Sequence, residues 1–327
     1  MGKKSKRGSG PRPGSNRAER VAARKARQAA ALVATPRPFA GLAAECDLVA
    51  LRSFVASATA VLDLVEPGPP APVLTSAVPD DADLPGGPAG TRNEVVLATI
   101  LPGAIAALCR ESRGRTEGLV ALQTDPEPAD VAFGLSAAIG WAAHADAGTE
   151  YPGAPGDAVP LTDVLNADAP LDIIVHNDFA WWFPPGSEVP GEIATMLERA
   201  NDTVRPTARM HISSGLGAPW WVDAGERAHL RWIRPEPEDD LMTALARLHA
   251  AGNLTLGEGS RFAGSFRTHG LLVPVFDLDP ERHHEEWYDA LAAFDDQLAH
   301  ALTQTGDLTI AERSSRDGIR GRQVTLR

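Results

Sequence analysis

PWWVDAGERAHLRWIR, residues Pro219–Arg234, carries the local signal that decides the fold class. Two apolar, β-prone runs flank Gly225-Glu226, and a Gly-X pair suits a type II′ hairpin, whose first central residue has positive φ. A two-residue turn sets Trp221 opposite Leu230 and brings Trp232 near Pro219 on the same face. Trp220 then faces Arg231 across the other face, within reach of a cation–π contact. A one-residue slip would exchange the two faces. A second antiparallel pair, Arg261–Thr268 with Leu271–Leu278, is expected about His269-Gly270. Pro274 should confine its second strand to a sheet edge or a bulge.

Helical signals surround these strands. Asp239–Ala250 follows Pro235 and Pro237, starts among acids and ends before Gly252. Pro280 opens a helix over Glu281–Leu302, with Trp287, Leu291, Phe294, Leu298 and Leu302 inward. Upstream, Glu45–Leu64 has helical spacing, and Asp130–His144 reads as a buried helix after Pro126 and Pro128. Between them lie the β-rich runs Val73–Val78, Glu94–Leu101 and Gly118–Thr124, with a Pro/Gly/Asp loop at Pro79–Gly90. Leu171–Val175 reads as a short buried strand and Glu192–Ala200 as a helix. The order lacks regular β-α alternation, so the fold class is α+β: antiparallel sheets packed with helices, preceded by a disordered basic arm. Tyr151–Pro160, rich in proline and glycine, marks a boundary. The expected organisation is an arm over 1–37, α+β units over 38–150 and 158–310, and a flexible basic tail over 311–327.

Charge divides the chain differently. Its four lysines, Lys3, Lys4, Lys6 and Lys25, all fall within the first 25 residues. The remainder therefore has no lysine for a P-loop, a kinase strand or a Schiff base. Residues 1–27 carry ten Lys and Arg against Glu19, a net of +9. The whole chain is −12, which leaves −21 on the other 300 residues. Such a body repels polyanions, so nucleic-acid contact must run through the arm. Met1–Gly14 has no apolar side chain after Met1 and should be disordered. Asn16 and Glu19 form a capping-box pattern, and Arg17, Arg20, Arg24 and Arg27 then share a helical face. The candidate nucleic-acid-binding set is Lys3, Lys4, Lys6, Arg7, Arg12, Arg17, Arg20, Arg24, Lys25 and Arg27. The alternative is a solubilising tail, or one folded onto its own acidic body.

Two cysteines, Cys46 and Cys109, are too few for a disulfide scaffold or a Cys-based zinc site and fit a reducing cytoplasm. The longest uncharged apolar runs, Val95–Cys109 and Val131–Ala145, span about 15 residues, short of the ~20 that cross a bilayer.

RPFAGLAAECDLVALRSFVASATAVLDL (37–64) and LARLHAAGNLTLGEGSRFAGSFRTHGLLVPVFDL (245–278) resemble an uncharacterised protein family of actinobacteria. The likeness covers about residues 37–305 and includes a Lys/Arg-rich start. It implies no activity and no site residues. Some relatives carry a name borrowed from the protein-export ATPase. This sequence contradicts such a label, having neither a P-loop nor a cysteine-rich zinc tail.

Among candidate sites, His176-Asn177-Asp178 before Phe179, Trp181 and Trp182 is the most site-like. His176 and Asp178 could act as an acid–base pair or bind a small polar ligand; the competing reading is a strand-end turn. His283-His284-Glu285-Glu286 offers metal-ligand types, yet fits no zinc signature and suits a helix start. Gly215-Leu216-Gly217 lacks the third glycine of a dinucleotide loop. Cys109 could be activated by Arg110, or be simply buried. Trp181–Trp182 and Trp220–Trp221 could wall a binding surface or pack in core. No metal or cofactor is expected. The leading reading is a non-catalytic, cytoplasmic α+β protein tethered to RNA, the ribosome or DNA by its arm. The alternatives are an enzyme or small-ligand binder at His176–Asp178, and an adaptor gripping a protein partner.

Overall fold

The computed structural model describes residues 37–65, 92–153, 159–184, 186–187 and 191–321. The expected leader helix from Asn16, the expected strand Val73–Val78, the loop Pro79–Gly90 and residues 322–327 lie outside them. The fold is α+β, with two mostly antiparallel sheets.

β8 (Ala218–Asp223) and β9 (Ala228–Ile233) form the expected hairpin in the expected register: Trp221 pairs with Leu230, Trp220 with Arg231 and Pro219 with Trp232. The Ala224 N–H donates to the Arg227 carbonyl at 2.9 Å, and Gly225 takes φ +90°, a region open to glycine. The anticipated Trp220–Arg231 stacking is replaced by another. Trp220 is fully enclosed between the sheets, so the Arg231 guanidinium lies 5.2 Å from the Phe54 ring centroid instead. With β7 (Thr207–Arg209), β10 (Ser260–Thr268) and β11 (Leu271–Leu278), the second sheet runs β10-β11-β9-β8-β7. Pro274 therefore sits on an internal strand, not at an edge. The β11–β9 ladder lapses there, because proline has no N–H to give, and resumes at Arg234↔Leu272. A bulge between Phe262 and Gly264 bends the facing strand.

The first sheet corrects more of the sequence reading. Glu45–Leu64 is not one helix: α1 is Glu45–Ser53, and Ala58–Val61 is β1. Thr59 pairs with Ala98 on one side and Ile174 on the other. That two-sided ladder satisfies the backbone of a β-branched segment that gains little from helix. β2 (Glu94–Ile100), β3 (Ala107–Ser112), β4 (Arg115–Gln123), β5 (Thr149–Glu150) and β6 (Ile173–Val175) complete the order β5-β3-β4-β2-β1-β6. The β2–β4 pair is parallel. β6 is an edge strand, and its Ile174 is 58% exposed rather than buried.

The layers follow from strand alternation. Val95, Leu97, Val120 and Leu122 face inward, onto α1 and α2 (Val131–Ala142), and the same core takes in Ala218, Trp220, Ile233 and Val275 from the second sheet. Asp130 caps α2 by accepting from the Phe133 N–H. Gly118 lets α2 approach β4, since a Cβ there would stand 2.7 Å from the Ala142 carbonyl oxygen. Arg209 on β7 donates to Asp47 on α1 at 2.6 Å, tying the edge of the second sheet to that helix. The segment between β6 and β7 contains α3 (Gly191–Asn201). On the far face of the second sheet, α4 (Glu238–Ala250) and α5 (Tyr288–Thr303) enclose Trp232, Phe276 and Phe294. The helix expected from Glu281 begins later, after a 3-10 turn at His284–Trp287. Residues expected to trail off instead form α6 (Ile310–Gly321), with Ile319 buried and Arg320 donating to Asp239 at 2.8 Å. Counting its charges concealed that apolar anchor.

Candidate functional site

β6 delivers His176 to the outer face of the first sheet. There the His176 N–H donates to the Ser57 carbonyl at 2.9 Å, and Nε2 lies 2.8 Å from Thr59 Oγ1. Its ring stacks on Trp181 at 5.5 Å. Burial pushes its pKa below the usual histidine value, partly opposed by the Asp178 charge. Asp178 is exposed, and its Oδ1 accepts from the Ala180 N–H at 2.9 Å, closing an Asx turn. The two side chains are thus committed to the chain itself, one to β1 and one to the turn.

Trp181 and Trp182 lie in a 3-10 turn, Ala180–Trp182. Trp181 donates to Ser57 Oγ at 2.8 Å and Trp182 to the Ile100 carbonyl at 3.0 Å. Arg110 donates to the carbonyls of both tryptophans and pairs with Glu117. That arrangement also decides Cys109. Adjacent strand residues face opposite ways, so the Arg110 guanidinium sits across the sheet from the Cys109 thiol. Burial pushes that thiol's pKa up, opposite to activation, and Sγ lies 3.5 Å from the Ala142 carbonyl. Cys46 is pushed up to about 12 by burial and the neighbouring Glu45.

The other motifs are absorbed by packing. The Glu286 carboxylate accepts from the His283 N–H at 2.8 Å in a capping box, and His284 packs on Trp221. Among the described residues, no group of three or more His, Cys, Asp or Glu is placed to hold a metal. Gly217, at φ +78°, lies so near β9 that a Cβ would stand 2.4 Å from the Ile233 carbonyl oxygen. Leu216 offers its carbonyl to the buried Arg234 at 3.1 Å. Trp220 and Trp221 are both buried, in opposite cores. The ten leader cations lie outside the described residues.

Sequence reasoning missed a recess beside α2. A cleft of about 630 Å³ opens between the first turns of α2, the 104–106 segment, the end of β4 and Tyr151–Gly153. Its lining draws mainly on residues 121–138, a stretch without a ligand motif, and is completed by Arg52, 104–106 and 151–153. Among the described residues, no helix is long and apolar enough to cross a membrane.

With this geometry in view, residues 38–327 match the family of unknown function DUF5926. The chain belongs to that family. No curated protein and no solved structure matches it. Membership in DUF5926 covers both sheets and excludes the basic leader.

Proposed function

We propose that this DUF5926 protein is a non-catalytic cytoplasmic module, held to a polyanion such as RNA, the ribosome or DNA by its basic leader. The observation that carries this reading is the segregation of charge: +9 on residues 1–27 against −21 on the rest. A folded part of that sign is repelled by phosphates, while ten cations release counterions on binding them, with typical non-specific dissociation constants of about 10⁻⁴–10⁻⁶ M. The commitment of His176 and Asp178 to backbone and neighbouring side chains supports a binding role over acid–base chemistry there. Recovery of partners from lysate tests the proposal. Full-length protein should retain nucleic acid that nuclease or raised salt removes. A full-length variant with the ten leader Lys and Arg changed to Ser should not. Equal recovery by both would overturn the reading.

A further inference from the structure

The cleft beside α2 has the size of a small-molecule site, which commonly runs from about 300 to 1,000 Å³. Its walls are mostly apolar: Ile105, Leu122, Val131, Leu135 and Ala138 contribute. Two aromatic side chains, Phe133 and Tyr151, also line it, and Phe133 is 45% exposed. The charged groups that line it are three. Arg52 is already compensated, donating to the Leu122 carbonyl and to the Glu127 carboxylate. Asp130 keeps one oxygen on the α2 cap. Asp125 is exposed at the mouth, and its carboxylate makes no hydrogen bond or ion pair among the described residues. With Arg52 and Glu127 cancelling, Asp125 and Asp130 leave the cleft negative.

Carboxylates at the mouth of an apolar recess attract a cation, and aromatic faces add a quadrupolar attraction for it. An anion meets like charge at the same place. We infer that the cleft binds a small hydrophobic ammonium, its charged head near Asp125, Asp130 and the aromatic rings and its apolar body along Ile105 and Leu135. This inference is independent of the leader's role.

Ligand-observed NMR on the full-length protein tests it with three probes of similar shape: phenyltrimethylammonium, its uncharged isostere tert-butylbenzene, and benzenesulfonate. The ammonium should bind most tightly and benzenesulfonate least. The double variant Asp125→Asn/Asp130→Asn keeps the helix cap and alters exposed groups; it should weaken the ammonium roughly five- to tenfold and leave the neutral probe unchanged. Ala137→Trp, on the half-buried α2 face that lines the cleft, should abolish binding of both while the far-UV spectrum stays native. Equal or tighter binding of tert-butylbenzene, or indifference to the double variant, would overturn the inference. Binding that emerges only after the leader cations are changed to Ser would assign the cleft to the leader and overturn it equally.

Discussion

Trp181 donates its indole N–H to Ser57 Oγ at 2.8 Å, and that hydroxyl in turn donates to the Asp178 carbonyl at 2.7 Å. One buried serine therefore fixes both ends of the turn that follows β6. Ser57→Ala leaves a donor and an acceptor without their partner, which costs about 1–3 kcal/mol. Urea denaturation should show a lowered midpoint, and Trp181 fluorescence should shift as the turn loosens. An unchanged midpoint would mean that the serine does not hold the turn.

Gly118→Ala tests the approach of α2 to β4. The new Cβ would stand 2.7 Å from the Ala142 carbonyl oxygen and 2.9 Å from the Ala142 Cβ, so backbone must shift. Overpacking of this kind costs about 1–3 kcal/mol. The expected result is a lower thermal midpoint. Ala142→Gly in the same chain should recover part of the loss by removing one of the two clashing groups.

Elements fixed by local signals could be read from the sequence, and those fixed by distant pairing could not. The hairpin was readable because Gly225-Glu226 fixes its turn locally, and register then follows by counting from Trp221 to Leu230. The α1–β1 boundary was not readable. Helical spacing continues through Leu62, and what makes Ala58–Val61 a strand is pairing with residues as distant as Ile174. Pro274 misled in the other direction, since an internal strand tolerates one missing N–H where its ladder lapses. For the candidate site, residue types placed His176 and Asp178 side by side in sequence. Their different commitments, to Thr59 and to an Asx turn, depend on where β1 lies.

Stability should fall on mild acidification. Burial holds His176, His229, His269 and His284 below the ordinary histidine value of 6.5. A depressed native pKa means the unfolded chain binds more protons, so this contribution is complete above about 6.5 and is lost as pH falls through 6.5 towards the native values. The urea midpoint should therefore decline between pH 7 and pH 5. His176→Gln should make that decline shallower; a midpoint that rises over the interval would contradict the assignment.

The leader's role is tested most directly by filter binding of the purified full-length protein to duplex DNA across a salt series. If all ten cations of residues 1–27 engage phosphates, log Kobs should fall against log salt with a slope approaching about −9, independent of base sequence. Changing those ten residues to Ser should remove both the affinity and the slope. An affinity and slope unchanged by that substitution would contradict the account.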